Sequence, residues 1–367
     1  MCKRWPLLFL PFFLLPYLVS GQSIKRLLPV NSSFQLQGHY GFFITDAPKA
    51  MYLRDSYSSF MEVGIAFQAD GSKSWHSEAN FPSSGISFLY GNTGSKAFIG
   101  NVAAIYPYTR IPLLTRARFS SLFKTGAGLA WIEKPYDIQT NHKNTLIGSH
   151  WNAIIQLGLI NEWRLTPQLF INAGLSFTHF SNGTSTLPNL GLNIPALTLG
   201  TRYAFQQEVR VQSGEEKTVF DKTLQNRVYT SFGMKQRPWI ASKRHVIPNV
   251  QAEIVKPVTQ TISWGGGLML SYDPALQREI PDAIKDLFDE SDTKIQAGLF
   301  AMYEYRSGRV SFPLQAGVYL LNKYAVSSLF QNIGANYQIN KHWAIRGQLK
   351  THLGKADYIH IGGGYTF

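Results

Sequence analysis

The residues best suited to chemistry lie in Thr178-His179-Phe180-Ser181-Asn182-Gly183, followed by Pro188-Asn189-Leu190-Gly191-Leu192-Asn193. A hydroxyl becomes a nucleophile when a base can take its proton and a third group holds that base in the right tautomer. His179 and Ser181 are two apart, so on a strand they share a face. That face also carries Leu169, Ile171, Ala173, Leu175 and Phe177, whereas Asn172, Gly174, Ser176 and Thr178 fall on the other. A hairpin centred near Thr186 puts Asn193 opposite His179, on the face shared by Pro195, Leu197, Leu199, Thr201 and Tyr203. Ser181 is then a candidate nucleophile, His179 its base and Asn193 the group that orients the imidazole. The Asn182 side chain and the backbone N–H groups of the Gly183 turn are candidate donors to an oxyanion. Ser-Asn-Gly is also an ordinary turn sequence. On these residues alone, a turn with an interfacial histidine stands beside the catalytic reading.

The elements that must position these residues repeat with a period of two. In the segment 151–165, Trp151, Ala153, Ile155, Leu157, Leu159, Trp163 and Leu165 share one face; Asn152, Gln156, Gly158, Glu162 and Arg164 share the other. Ile154, Ile160 and Asn161 interrupt the pattern. Apolar-out, polar-in alternation over about ten residues, with tryptophans near both ends, is the pattern of a membrane barrel strand. The same reading predicts strands at 34–45, 60–70, 84–91, 97–107, 118–132, 149–163, 168–181 and 192–206. Further strands are expected at 259–273, 294–306, 310–320, 328–339, 342–353 and 356–367, with the stretch 226–256 able to add two more. The expected fold is all-β: an antiparallel transmembrane β-barrel of about 14 strands, within a range of about 8–16. Short turns at 164–167, 307–309 and 340–341 and longer connections at 132–148, 274–293 and 321–327 fit periplasmic turns and outer loops. By the same parity the polar stretch from Gln206 to Asn226 is periplasmic, and nothing in its sequence accounts for its length. The loop 274–293 has helical spacing. In this barrel the His179/Ser181 pair faces lipid at the outer end of the seventh strand, where a polar pair costs free energy and needs a reason.

The ends of the chain agree with export. Lys3 and Arg4 precede an apolar run, Trp5 to Val19, broken by Pro6, Pro11 and Pro16. Val19-Ser20-Gly21 offers a small-residue cleavage site, so residues 1–21 are expected to be a signal peptide and 22–367 the mature outer-membrane barrel. Cys2 is the single cysteine of the chain; its removal excludes disulfides, thiol nucleophiles and cysteine-ligated metals. At the other end Ile359, Ile361, Gly363, Tyr365 and Phe367 share a face. A terminal phenylalanine with tyrosine two before it resembles the closing strand that the bacterial outer-membrane assembly machinery reads. Charged residues make up 16% of the 367 residues and aromatics 14%, with 35 basic against 22 acidic side chains for a net +13. At an outer membrane that balance favours lipid phosphates as anionic partners. Export excludes nucleic acid.

Other clusters carry less. His142 and His150 flank a loop with no acid at ligand spacing. Asp286, Asp289, Glu290 and Asp292 form an acidic group beside Lys285 and Lys294 that reads as a solvated helix end rather than a calcium site. The runs Gly265-Gly266-Gly267 and Gly362-Gly363-Gly364 sit inside predicted strands and cradle no phosphate. No cofactor and no metal are expected, and the oligomeric state is open.

His179-Phe180-Ser181-Asn182, with Pro188-Asn189 and Gly191 at these spacings, resembles the lipid A deacylase (PagL) family of outer-membrane acyloxyacyl hydrolases. The resemblance covers 34–206, about half of the chain, and leaves 207–367 as additional strands and loops. It implies an eight-stranded barrel whose catalytic His and Ser lie on the seventh strand and face the outer leaflet. It also implies an esterase that removes an ester-linked acyl chain from the lipid A of lipopolysaccharide. By it, His179 resembles the base, Ser181 the nucleophile, and Asn182, Gly183 and Asn189 the oxyanion support. Asn193 stands where characterised members carry glutamate. The extra residues imply a wider barrel or a different closure. Basic residues expected in the outer loops, Lys134, Lys143 and Arg110, are candidates to hold the lipid A phosphates. The alternative is a non-enzymatic channel or structural barrel that keeps the motif as a turn.

Overall fold

The computed structural model describes residues 29–45, 47–210, 220–236, 243–276, 294–322 and 327–367. These hold sixteen antiparallel strands in two closed barrels. The first barrel runs β1 (Ser32–Gly41), β2 (Ser58–Gln68), β3 (Ser83–Asn92), β4 (Asn101–Thr115), β5 (Phe119–Ile132), β6 (Trp151–Arg164), β7 (Leu169–Ser181) and β8 (Leu192–Ala204), and β1 closes on β8. The second runs β9 (Gln225–Gln236), β10 (Arg244–Pro257), β11 (Ile262–Tyr272), β12 (Ile295–Ser307), β13 (Val310–Leu321), β14 (Leu329–Gln338), β15 (Trp343–His352) and β16 (Lys355–Thr366), and β9 closes on β16. The two strands beyond the count of fourteen are β9 and β10, in the stretch left open for them. The difference from expectation is in closure: two barrels of eight stand where a single wider one was counted. This also accounts for the polar segment after β8. It is the tether between barrels, so its length follows from joining two closed walls rather than from turning one hairpin. Residues 211–219 of that segment, the signal peptide expected at 1–21, and the helix and acidic cluster expected in the loop 274–293 lie outside the described residues, apart from the loop's first residues.

Alternation decides which way each side chain faces. Along β7 and β8 the outward Leu175, Leu197 and Leu199 are 59, 64 and 69% exposed, while the inward Asn172, Thr178 and Thr198 are buried. An eight-stranded barrel is just wide enough for side chains to fill, and here charged side chains fill it. In the first barrel Glu62 pairs with Lys124, with His39 Nε2 at 3.1 Å, and accepts a bond from Ser87 Oγ at 2.6 Å. Arg202 donates to both oxygens of Glu162. In the second, Arg346 pairs with Glu253 and lies over the Tyr229 ring, 3.3 Å from its centroid, and Arg227 pairs with Glu304 at 2.9 Å.

Arg110 corrects one expectation. It lies within β4, not in a loop, because that strand runs on through Pro107 and Pro112 to Thr115, with a register shift between Pro112 and Leu114. Its side chain is buried, donating to Ser83 Oγ at 2.9 Å and pairing with Glu162 at 3.5 Å, far along the barrel from His179.

The barrels touch at both ends. At the turn end the short helix α1 (Ser74–Glu78) meets the β10–β11 turn. There Glu78 accepts from the N–H of Gln260 and Thr261 at 3.2 and 3.1 Å, and Ser74 Oγ donates to Gln260 at 2.8 Å. At the loop end the connection 182–191 lies against β9 and β16.

Candidate active site

The β7–β8 register places His179 directly opposite Asn193. Cβ atoms of such pairs are about 4.5–5.5 Å apart, so two side chains leaving the same face meet. His179 Nδ1 and Asn193 Oδ1 are 2.6 Å apart, and His179 Nε2 and Ser181 Oγ are 2.9 Å apart. With the proton on Nδ1 donated to the amide oxygen, Nε2 is left as the acceptor for the serine hydroxyl. That is the tautomer a general base needs. Two neighbours fix Asn193: β7 on one side, and on the other the segment just past β1, where Ile44 N–H donates to Asn193 O at 2.8 Å. Ser181 ends β7 and is 3% exposed. The three residues face outward at the loop end, directly above the apolar column of Leu175, Leu197 and Leu199.

The loop that follows is tightly organised. Asn182 N–H donates to Asn189 Oδ1 at 3.0 Å. The Asn182 amide nitrogen donates to Ser149 Oγ and to Thr186 O, each at 2.8 Å. Both donor hydrogens of the Asn182 side chain are therefore spent, one on Thr186 within the loop and one on Ser149 of the β5–β6 connection, and Asn189 takes its backbone donor. Gly183, at φ +57, follows with an N–H that has no acceptor among the described residues. Sequence reasoning named Asn182, Gly183 and Asn189 but not their arrangement: the two asparagines hold the turn that carries the buried Gly183. It missed Ser149, because a serine about thirty residues away on another loop leaves no local signal. Lys134 is placed on that same loop, where its ammonium donates to Lys96 O, and Lys143 O accepts from Tyr52.

Gly191 was read in the sequence only as part of the motif. It adopts φ +78, and a Cβ there would come within 2.9 Å of His179 Cε1. Gly191→Ala is expected to strain the backbone and to push the imidazole off its line to Ser181. We expect activity to fall about tenfold or more, since small misplacements of reacting groups are costly, with folded protein maintained. The check is a deacylation rate normalised to the heat-modifiable, folded band.

Two family models match the chain. Residues 61–202 match lipid A 3-O-deacylase (PagL), and residues 224–367 match the C-terminal domain of acyloxyacyl hydrolase. The first match contains His179, Ser181 and Asn193; the second begins at β9 and spans the second barrel. Each barrel thus matches a PagL model of its own, lipid A 3-O-deacylase in the first and the acyloxyacyl hydrolase C-terminal domain in the second. The chain is accordingly a carboxylic ester hydrolase built on antiparallel β-barrels. Among solved structures the chain is similar to the outer membrane enzyme PagL, at 14% identity and a TM-score of 0.31, over 45% of this chain and 97% of that one. It is also similar to Neisserial surface protein A, at 10% identity and a TM-score of 0.33, over 47% of this chain and 96% of that one. A porin from Rhodopseudomonas blastica is similar at 11% identity and a TM-score of 0.19, over 92% of this chain and all of that one. No curated protein matches the chain. The first match runs from β2 into β8 and leaves out β1, the second spans β9 to β16, and the gap between them holds the tether.

Proposed function

We propose that this protein removes an ester-linked acyl chain from lipid A in the outer leaflet by a serine–histidine mechanism. The observation that carries the reading is the hydrogen-bonded chain Ser181–His179–Asn193 on the lipid-facing rim. Ser181 Oγ attacks the ester carbonyl as His179 Nε2 takes its proton. The oxyanion accepts from Gly183 N–H, in a turn held by Asn182, Asn189 and Ser149. Collapse breaks the bond to the sugar oxygen, which leaves as a hydroxyl with the proton from His179, and the acyl group stays on Ser181. Water, deprotonated by His179, then releases the fatty acid and restores the serine. The apolar column of Leu175, Leu197 and Leu199 lies where an acyl chain would descend into the membrane. In this reading Phe367, on the outward face at the end of the last strand, is the feature offered to the assembly machinery. The side chains filling both lumens favour this reading over a channel: planar-bilayer recordings are expected to be silent. The deciding experiment is mass spectrometry of lipid A incubated with the purified, folded protein. Loss of one hydroxyacyl chain supports the reading; intact lipid A, with phospholipid consumed instead, overturns the choice of substrate.

Asn193 supplies an acceptor but no charge. Asn193→Glu is expected to keep or raise the rate, because a carboxylate stabilises the imidazolium formed as Ser181 loses its proton. The penalty for a charge at the rim is small, roughly 0–1 kcal/mol near the interface. Asn193→Leu keeps the size and removes the acceptor, so the rate should fall at least about tenfold, or about 1.4 kcal/mol of barrier. Equal rates for all three forms in one lipid A assay would show that this position does not orient His179.

A further inference from the structure

The turn that follows the nucleophile is held from two sides, and only one of them belongs to its own barrel. On the near side, Asn182 reaches Ser149 of the β5–β6 loop. On the far side stands the second barrel. Gln236, the last residue of β9, donates its N–H to Thr184 O at 2.9 Å, and its side-chain Oε1 accepts from Leu187 N–H at 2.8 Å. Thr184 Oγ1 donates to the carbonyl of Asp357 on β16. Gly183 packs so closely on β16 that a Cβ there would lie 2.8 Å from the Ile359 nitrogen and 2.6 Å from its Cγ1. The short β15–β16 hairpin, turned by Leu353 and Gly354 at φ 50 and 89, begins β16 two residues before Asp357.

We propose that the second barrel is a positioning element of the active site, with Gln236 as its key residue. This rests on the serine–histidine reading above. A loop at a membrane rim is intrinsically mobile. An oxyanion donor, by contrast, acts only within about 2.7–3.1 Å of where the charge develops, and a displacement near 1 Å can cost about a hundredfold. Gln236 clamps the loop at two points, Thr184 and Leu187, that bracket its middle. Its own barrel wall is rigid through the β9–β10 and β9–β16 ladders. The second barrel thus does for the Gly183 donor what the β7–β8 ladder does for His179.

The test compares Gln236→Leu and Gln236→Glu with wild type in the full-length folded protein, using lipid A, with Ser181→Ala as the reference for lost chemistry. Leucine keeps the bulk but cannot accept from Leu187; glutamate keeps the acceptor. The expected result is a fall in kcat of about tenfold for Gln236→Leu, with KM changed by less than about twofold, and a return to within about twofold of wild type for Gln236→Glu. A purely structural contact would lower the yield of folded protein without this split. Wild-type kcat in Gln236→Leu, or an equal loss in Gln236→Glu, overturns the positioning role while an inactive Ser181→Ala leaves the nucleophile standing. Full activity in Ser181→Ala overturns both.

Discussion

Ser181→Ala and His179→Ala are each expected to lower lipid A deacylation at least about a thousandfold, or about 4 kcal/mol of barrier, while leaving the barrel intact. The size of the effect follows from the geometry. In the proposed mechanism alanine at 181 removes the hydroxyl that would bond the acyl carbon, and alanine at 179 removes the imidazole 2.9 Å from it that would act as base. Residues that act as one unit do not add, so the double variant should be about as inactive as either single one. Stability should hardly change, because neither side chain contributes to the packed lumen. Outward substitutions at the rim remove a polar group from the lipid face, which favours folding if it does anything. Both rates should be measured on protein whose folding is verified by heat-modifiable gel mobility. Near-normal turnover in either variant would refute the assignment of nucleophile and base.

How much of this was legible in the sequence depends on the range of the signal. The period-two pattern is local, so the strand positions followed from it: β7 was expected at 168–181 and runs Leu169–Ser181, and β13 was expected at 310–320 and runs Val310–Leu321. The pairing of His179 with Asn193 was legible because hairpin register follows from turn position alone. Strands β9 and β10 were harder to read; Pro248 lies within β10 and much of β9 is polar. Closure was not legible. Whether β8 returns to β1 or passes on to β9 is a long-range choice, and the alternation of β8 is the same in either case. Its traces were the resemblance, which implied eight strands over 34–206, and the unexplained polar segment after Gln206, which joins β8 to β9. The tertiary contacts of the site were equally hidden: Ser149 from the β5–β6 loop and Gln236 from the end of β9 reach the turn after Ser181, and neither carries a motif. Arg110 shows the converse error. A basic residue was given to lipid phosphates on charge alone, when strand phase turns it into the lumen against Glu162.

The lumen yields the other large effect, and it is one of stability rather than chemistry. Glu62 is buried at the centre of the first barrel, where it meets Lys124, His39 and Ser87. Glu62→Leu leaves the Lys124 ammonium enclosed, with Gln37 Oε1 at 3.5 Å, Tyr106 OH at 3.4 Å and the Tyr108 ring 4.6 Å from it. Neutral oxygens and a ring face do not replace a carboxylate, and breaking a buried pair from one side costs about 3–5 kcal/mol. The double variant Glu62→Leu/Lys124→Met removes both charges and substitutes apolar volume, so most of that loss should be recovered. Urea unfolding in detergent micelles, followed by the mobility of the folded band, would compare the three proteins. The folded fraction of each should deacylate lipid A at the wild-type rate, since Glu62 points into the lumen and the Ser181–His179–Asn193 chain lies on the opposite face of the wall. A double variant as unstable as the single one would show that the carboxylate matters for packing rather than for its charge. A folded single variant with a strongly reduced rate would show instead that the lumen network sets the positions of the rim residues.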